Sequence, residues 1–526
     1  MAKPSVGFVH PDLGIGGAER LVVDAAVALQ ELGHSVRVLT SHYDSKHAFE
    51  PTYDGTLQVV HAKTCIPRSV FSKLHLPMAI LQQLSLVWQV CCSTYGAALA
   101  KSSPDLYALL TSIPPTPLPD VFVIDQLPIA IPLLKLLCKR RVLYYCHFPD
   151  KDISASLAAQ RGTTGWIRNL YRLPLDLLEE VTTAFADVVV ANSKFTANHF
   201  RRSFPRLQST PHVIYPGVDE NEYQSTRVTR ELAAFLTGRS GNLEKQMQDV
   251  VGSILSDRSR PMFLSINRFE AKKNIALAVE TFARLRQEVG NTELRLICAG
   301  GYDHRVLDNI ETLAALQSQA ARLGLSHVTL WCSPPMYEPP ISPPSLDQVN
   351  RAAIIFFPSF PGPLLHTLLV NPAVRALLYT PTNEHFGIVP LEAMACGMPV
   401  VATNTGGPLE TIVDADVDRT GEPRARGATG FLLPPDPAAW AAVCATILGW
   451  DQRIVEHVAT NAKRRVAEVF SVRAMGELFD EQTNRLAKMP PVSTAERIPA
   501  LALVLVILLL GTVLGVAMLS LALRCL

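Results

Sequence analysis

No Cys-x-x-Cys pair and no cluster of cysteine and histidine that completes a metal-ligand set occurs in this chain, although it holds ten cysteines. Cysteine-based metal modules are thereby excluded, and the scattered thiols read as reduced core residues of a cytosolic protein. No Asn-x-Ser/Thr acceptor occurs either, in keeping with a cytosolic face. Charge of one sign is not in excess: 48 Lys and Arg stand against 47 Asp and Glu, and a formal net charge of +1 gives no general attraction to nucleic acid. The start, Met1-Ala-Lys-Pro-Ser-Val-Gly-Phe8, lacks an apolar signal region and runs directly into a strand pattern. An Asp-x-Asp turn behind an apolar strand is also missing, because Asp414-Ala-Asp416 follows a helical pattern, so no metal and no other cofactor is expected.

What the chain does have, at 526 residues, is too much length for one ordinary core, and two large domains with a tail are expected. Ser5–His10 reads as a strand, Pro11–Gly17 as a loop, Ala18–Leu32 as a helix stopped at Gly33, and Ser35–Thr40 as a second strand. That order implies a parallel, right-handed crossover and opens a Rossmann-like sheet. Its loop, Gly14-Ile-Gly16-Gly17-Ala-Glu19, lacks the third glycine of the dinucleotide fingerprint, since Glu19 stands there, and a plain tight turn is the alternative reading. Val142–Cys146 is a strand that delivers His147 at its carboxyl end, where open parallel sheets bind ligands. Trp166, Leu170, Leu173 and Leu177 recur at helical spacing with Arg168 and Arg172 between them, so a helix burying that stripe is expected. Asp187–Asn192 closes the first domain, and the proline-bearing Pro205–Pro211 marks the boundary.

Beyond it, His212–Gly217, Pro261–Phe269, Leu294–Gly301, Val328–Cys332, Ala376–Thr380 and Pro399–Thr403 read as strands alternating with helical patterns, which makes a second doubly wound sheet. Cys332–Pro372 breaks the rhythm with many prolines and reads as an irregular insertion. The expected division is therefore 1–205, then 206–488 with its last helix crossing back, a linker at 489–497 and a tail at 498–523.

Two strand-loop-helix units stand side by side between Ala376 and Glu410. In the first, Thr382-Asn-Glu384-His-Phe-Gly387-Ile388-Val389-Pro390-Leu-Glu392 leads into a helix; in the second, Gly406-Gly407-Pro408 does so. Helix starts reached through glycine present unpaired backbone N–H groups and a positive dipole end, which suits a phosphate or diphosphate. Glu384 lies just before the helix and Glu392 about one turn into it, so both carboxylates can face the same mouth. A carboxylate beside a phosphate site has a use if sugar hydroxyls donate to it. Arg268 and Lys273, at the carboxyl end of a strand, are either a solvated basic turn or cations for that anion. Arg295, Lys463, Arg464 and Arg465 lack such context and are expected on the surface.

The Glu384 to Glu392 spacing, Gly397-Met-Pro399 and Gly406-Gly407-Pro408 resemble the donor-site signature of retaining GT-B-fold glycosyltransferases. Asn383-Glu-His-Phe-Gly-Ile-Val-Pro-Leu-Glu-Ala-Met394 is similar to the dolichol-pathway alpha-1,3/1,6-mannosyltransferases of N-glycan assembly. The resemblance implies an α/β, GT-B architecture of two Rossmann-like doubly wound domains facing a cleft. It places Glu384 at the mannose ring, Glu392 at the donor ribose, Arg268 and Lys273 on the diphosphate, and Gly16 and Gly17 over it. His147 matches the family's N-domain histidine, so Glu384, His147 and Lys273 are the implied catalytic set. Gly16, Gly17, Arg268, Lys273, Gly387, Ile388, Val389 and Glu392 are the implied donor contacts. The implied reaction adds alpha-1,3- and then alpha-1,6-linked mannose from GDP-mannose to Man1GlcNAc2-PP-dolichol. Retention favours same-face attack, with a diphosphate oxygen as base. Other dolichol-pathway enzymes are implied as further partners, and the endoplasmic reticulum membrane as the location, with the catalytic domains on its cytosolic face.

Ile498–Leu523 carries no charged residue and is long enough to cross a bilayer, which takes about 20 residues. Arg485, Lys488 and Arg497 precede it and only Arg524 follows, so a transmembrane tail anchor with a cytosolic N-terminal part is expected. Leu74–Ala100 is apolar but interrupted by Gln82, Gln83 and Gln89, and is expected to pack or lie at the interface rather than span. Ile131–Leu137 meets Lys139-Arg140-Arg141, either a lipid or diphosphate contact or a solvated loop. Another retaining glycosyltransferase of the same pathway, a nucleotide-dependent oxidoreductase and a non-catalytic membrane scaffold are the competing readings.

Overall fold

In the computed structural model the described residues are 3–69, 75–152, 166–223, 227, 228, 230, 233, 245–331, 344–359, 362–417 and 421–507. The chain forms two compact units, Met1–Gly217 with Val472–Leu526, and Val218–Ser471. The first division falls after Gly217, beyond the expected Pro205–Pro211 boundary, and the helix Val472–Lys488 belongs with the N-terminal unit.

The N-terminal unit is built on strands whose residues are apolar on both faces, the pattern of a parallel sheet covered by helices on each side. In chain order these are β1 Val6–Leu13, β2 Val36–Tyr43, β3 Gln58–His61, β4 Val121–Asp125, β5 Arg141–Cys146, β6 Val188–Ala191 and β7 His212–Val213. They pair in the order β3-β2-β1-β4-β5-β6-β7, all parallel, with Val6 opposite both Val36 and Val121. The order reverses between β1 and β4, and this switch point opens a crevice at the carboxyl ends of the strands. One face is covered by the helix Gly17–Glu31 and by Val472–Lys488, whose Phe479 stacks on Tyr145 with centroids 5.8 Å apart. The other face is covered by the helix His75–Tyr95 and by residues 130–138.

In the second unit β8 Met262–Ile266, β9 Arg295–Gly300, β10 His327–Thr329, β11 Ile354–Pro358, β12 Val374–Tyr379, β13 Val400–Thr403 and β14 Gly430–Leu433 form a sheet ordered β10-β11-β9-β8-β12-β13-β14. Every pairing is again parallel, and the switch point lies between β8 and β12. The expected insertion at 332–372 is corrected here: β11 lies inside it, fully buried between β10 and β9. Prolines on either side of the four-residue apolar run Ile354-Ile-Phe-Phe357 mask a strand of five residues, Ile354–Pro358, a normal length for a buried strand. Residues 332–343 of that segment lie outside the described ones.

Four further expectations change. Arg295 is 2% exposed and donates from Nη2 to Val349 O at 3.1 Å, so it ties β9 to the helix Leu346–Arg351 instead of meeting solvent. Arg465 donates to the carbonyls of Glu410 and Thr411 at 2.6 and 2.7 Å. On the helix Trp166–Thr183, Leu173 and Leu177 of the expected stripe are exposed while Leu175 and Leu178 are half-buried, and the side chains of Trp166 and Leu170 lie outside the described ones. The linker at 489–497 is docked: Arg141 donates to Pro490 O at 2.7 Å and pairs with Glu496 at 2.6 Å. Arg141 is thereby removed from the basic cluster that could have met lipid, leaving exposed Lys139 and half-exposed Arg140.

A helix runs from 494 to 507, and the remainder of the expected tail, from 508, lies outside the described residues. Among the described residues one helix, His75–Tyr95, is long and apolar enough to cross a membrane. Its glutamines are partly explained by packing: Gln82 donates to Ile66 O, and Gln89 donates to Lys63 O while accepting from Ser112.

Candidate active site

At the N-terminal switch point, β1 carries His10 and β4 ends at Asp125. His10 Nδ1 lies 2.8 Å from both Asp125 oxygens, and His147 Nε2, one residue past β5, lies 3.0 Å from Asp125 Oδ2. Glu19 Oε1 stands 3.6 Å from His10 Nε2. Burial opposes charge on His10, but Asp125, by charge and hydrogen bond, outweighs it with help from Glu19 and holds the imidazolium well above the usual histidine range. Burial likewise opposes ionisation of Asp125, and His10 and then His147 overcome it, holding the carboxyl well below its usual range. An ionised carboxylate only accepts, so the His147 nitrogen facing it carries the hydrogen. Asn192 Nδ2 donates to His147 O at 2.9 Å and fixes the loop from behind.

The Gly16-Gly17 loop behaves differently from a bare anion cradle. Glu19 folds its carboxylate back over Gly16, where a methyl group would strike it, and burial of that carboxylate is offset by the His10 bond, which lowers its pKa. At Gly17 a methyl group would meet no protein atom within 4 Å, so packing does not demand glycine there.

In the second unit Lys273 follows β8 and Glu384 follows β12, the two strands flanking the switch point. Their side chains meet, Nζ to Oε2, at 2.5 Å. Thr380 Oγ1 donates to Lys273 O at 2.7 Å and joins the two loops. Gly387 has φ +86° and precedes the helix Ile388–Ala395; a methyl group there would lie 2.9 Å from the Tyr379 hydroxyl. Gly406 has φ +70°, and its missing Cβ would come within 2.5 Å of Glu384 O, so only glycine lets this turn lie against the Glu384 loop. The amide of Gly407 then donates to Glu384 O at 2.8 Å. Ile388 and Val389 open the helix, and their N–H groups have no partner within it. Glu392 follows one turn later. Arg268 stands in solvent, its side chain 64% exposed and Nη1 3.9 Å from Glu270.

The expected residues thus gather in two groups, His147 in one unit and Lys273, Glu384, Gly387 and Glu392 in the other, with Arg268 less engaged. Residues missed from sequence are His10, Asp125 and Tyr379. Each lies on or ends an apolar strand with its polar group toward the carboxyl end, which is the signal that would have found them. Tyr379 is buried beside both carboxylates; burial, then Glu384 and Glu392, push its phenol well above the usual range.

Residues 16–217 match the family model described as glycosyl transferase 4-like domain, and 350–465 match glycosyl transferases group 1. The fold resembles Anabaena HepE in complex with UDP, with TM-score 0.57, 18% identity, 91% of this chain and 100% of that one covered. It also resembles sucrose-phosphate synthase of Thermosynechococcus elongatus, with TM-score 0.58, 17% identity and 92% and 99% covered. Two doubly wound parallel sheets with these matches define a glycosyltransferase of the GT-B fold. The alpha-1,3/1,6-mannosyltransferase ALG2 of Saccharomyces cerevisiae is 38% identical over 490 residues, 92% of this chain and 85% of its own, and that of Rhizomucor pusillus 40% over 445 residues, 83% and 82%. The chain belongs to the alpha-1,3/1,6-mannosyltransferase family.

Proposed function

We propose that the protein transfers mannose from GDP-mannose to a dolichyl-diphosphate oligosaccharide, first in alpha-1,3 and then in alpha-1,6 linkage, at the cytosolic face of the endoplasmic reticulum. Family membership supports the sugar and the linkages, and the Lys273–Glu384 pair at a switch point supports the chemistry. Without donor, cation and carboxylate neutralise each other. An incoming diphosphate competes for Lys273, and Glu384 is released to accept from sugar hydroxyls. Gly387, Ile388 and Val389 offer the helix start to the phosphates, Arg268 adds a mobile positive charge from solvent, Glu392 takes the ribose hydroxyls, and the Gly16-Gly17 loop offers a second helix start. No metal is invoked, because these donors can offset the growing negative charge on the leaving oxygen, each worth roughly 3 kcal/mol when well placed.

In the proposed step the anomeric C–O bond to the diphosphate breaks, a bond to the acceptor hydroxyl forms on the same face, and the hydroxyl proton passes to the leaving phosphate oxygen. His147, oriented by Asp125, contacts a sugar or acceptor hydroxyl. The apolar segment 498–523 acts as a tail anchor, and confinement to the membrane raises the effective concentration of a lipid-linked acceptor.

Two variants test the division of labour. Glu384→Gln is expected to lower kcat about 10²-fold or more with the Kd for GDP within about threefold of wild type, whereas Lys273→Ala weakens GDP binding about tenfold or more. Equal loss of GDP affinity in both, measured by calorimetry, contradicts the assignment.

A further inference from the structure

Three neighbouring strands of the N-terminal unit end the same face with a polar side chain. Val6 and Phe8 of β1, Val121 and Val123 of β4, and Leu143 and Tyr145 of β5 share one apolar cluster, while Val9, Ile124, Tyr144 and Cys146 belong to the cluster on the opposite side of the sheet. Strand alternation then sets His10, Asp125 and His147, each two residues further on, in one row on the first face. The helix Gly17–Glu31 covers that face, and its first turn brings Glu19 down onto the row.

His10 stands in the middle of this arrangement and is wholly buried. Its Nδ1 lies 2.8 Å from both oxygens of Asp125, whose Oδ2 also meets His147 Nε2 at 3.0 Å. Its Nε2 has no hydrogen-bond partner among the described residues and faces Glu19 Oε1, 3.6 Å away. Burial works against an ionised Glu19, and His10, then the Glu19 amide, outweigh it. The same carboxylate lies over Gly16, where it fills the space that a Cβ would need, so the turn that starts the helix is shaped around it. Burying a charge is costly, and an apolar residue at position 10 could fill the same volume without that cost. What a cation supplies there is a hold on two carboxylates, one behind His147 and one over the Gly16-Gly17 loop.

We propose that His10 is a positioning residue with two separate arms: Nδ1 holds Asp125, and through it His147, while Nε2 holds Glu19, and through it the Gly16-Gly17 loop. The inference rests on the reading above, in which His147 contacts a sugar or acceptor hydroxyl and the loop offers its helix start to the donor diphosphate. The first arm therefore acts on turnover and the second on donor affinity.

The amide nitrogen of asparagine falls close to the Nδ1 position of histidine, and that of glutamine close to Nε2. His10→Asn thus keeps the arm to Asp125 and His10→Gln the arm to Glu19. Both lose the same charge, so a difference between them reports the arms. The full chain in phosphatidylcholine nanodiscs is assayed with GDP-mannose and a dolichyl-diphosphate acceptor ending in one mannose. The KM for GDP-mannose is expected about tenfold higher in His10→Asn than in His10→Gln, and kcat about tenfold lower in His10→Gln than in His10→Asn, the scale of one hydrogen bond to a charged group. Glu19→Ala should raise the KM for GDP-mannose about tenfold with a smaller effect on kcat, and should add no more than about twofold to the KM of His10→Asn, where that arm is already cut. Removing the carboxylate's charge alone would favour an anion and lower the KM, so the rise reports the loop's lost shape. Equal kcat and KM in the two His10 variants overturns the proposal. So does a Glu19→Ala KM at or below that of wild type, a measurement that stands even where the His10 variants do not fold. A wild type that transfers no mannose removes the functional reading and this proposal with it, whereas an active wild type with indistinguishable His10 variants removes the two arms alone.

Discussion

His10, Asp125 and His147 set a pH dependence that can be worked out residue by residue. His10 is raised to about 10, so its contribution to stability is complete below the unfolded imidazole value of about 6.5 and is lost as pH climbs through about 10. Asp125 is lowered to about 2, so its contribution is complete above about 3.9 and lost as pH falls through about 2. Between those limits the pair holds. Thermal melts at pH about 7 and about 10 should therefore show a steeper alkaline loss for the wild type than for His10→Gln, which has no imidazolium to discharge; parallel slopes would show that the ring is neutral throughout. Glu384 and Glu392 were legible as candidate site residues from their spacing around Gly387, and Lys273 only through the family resemblance of the Arg268–Lys273 turn. The Lys273–Glu384 contact could not be read from either, because it joins loops after β8 and β12 that only the strand order brings together.

At the scale of elements, the Gly406-Gly407 turn holds the Glu384 loop by close approach rather than by contact with any ligand. Gly406→Ala places a methyl group against Glu384 O in a left-handed conformation, at a cost of roughly 1–2 kcal/mol before any clash. The variant should melt lower and lose about 10²-fold in kcat, since misplacing a reacting group by about 1 Å can cost that much. A normal kcat would mean the loop is not held by this turn. The alternating strands and the two crossovers were readable from apolar runs ended by glycine. β11 was not, because prolines around Ile354–Pro358 imitate an irregular segment. The docked segment before the tail also carried an overlooked signal: Ser493-Thr-Ala-Glu496 is a capping box, in which the Ser493 amide donates to Glu496 at 2.8 Å and the Glu496 amide to Ser493 Oγ at 3.3 Å.

At the scale of the whole molecule, that capped segment decides how the apolar C-terminal helix is joined to the N-terminal unit. Asp187 is nearly buried and accepts from Lys135 and Arg141 at 2.8 Å each, and Arg141 reaches on to Glu496 and Pro490. Arg141→Met leaves part of a buried charge unpaired and should cost about 3–5 kcal/mol, whereas Glu496→Gln, at a carboxylate 37% exposed, should cost less than about 1 kcal/mol. Thermal melting of the two variants separates these outcomes, and equal losses would mean that the contact with Glu496, not Asp187, carries the network. Such a joint keeps the base of the tail fixed on the unit that bears His147. The central claim, a mannosyltransferase making two linkages on a lipid acceptor, is tested most directly by product analysis. The full chain is incubated with GDP-mannose and a dolichyl-diphosphate acceptor ending in one mannose, and the linkages of the added sugars are determined. Products carrying one alpha-1,3- and then one alpha-1,6-linked mannose are predicted; no transfer, or mannose in any other linkage, would contradict the account.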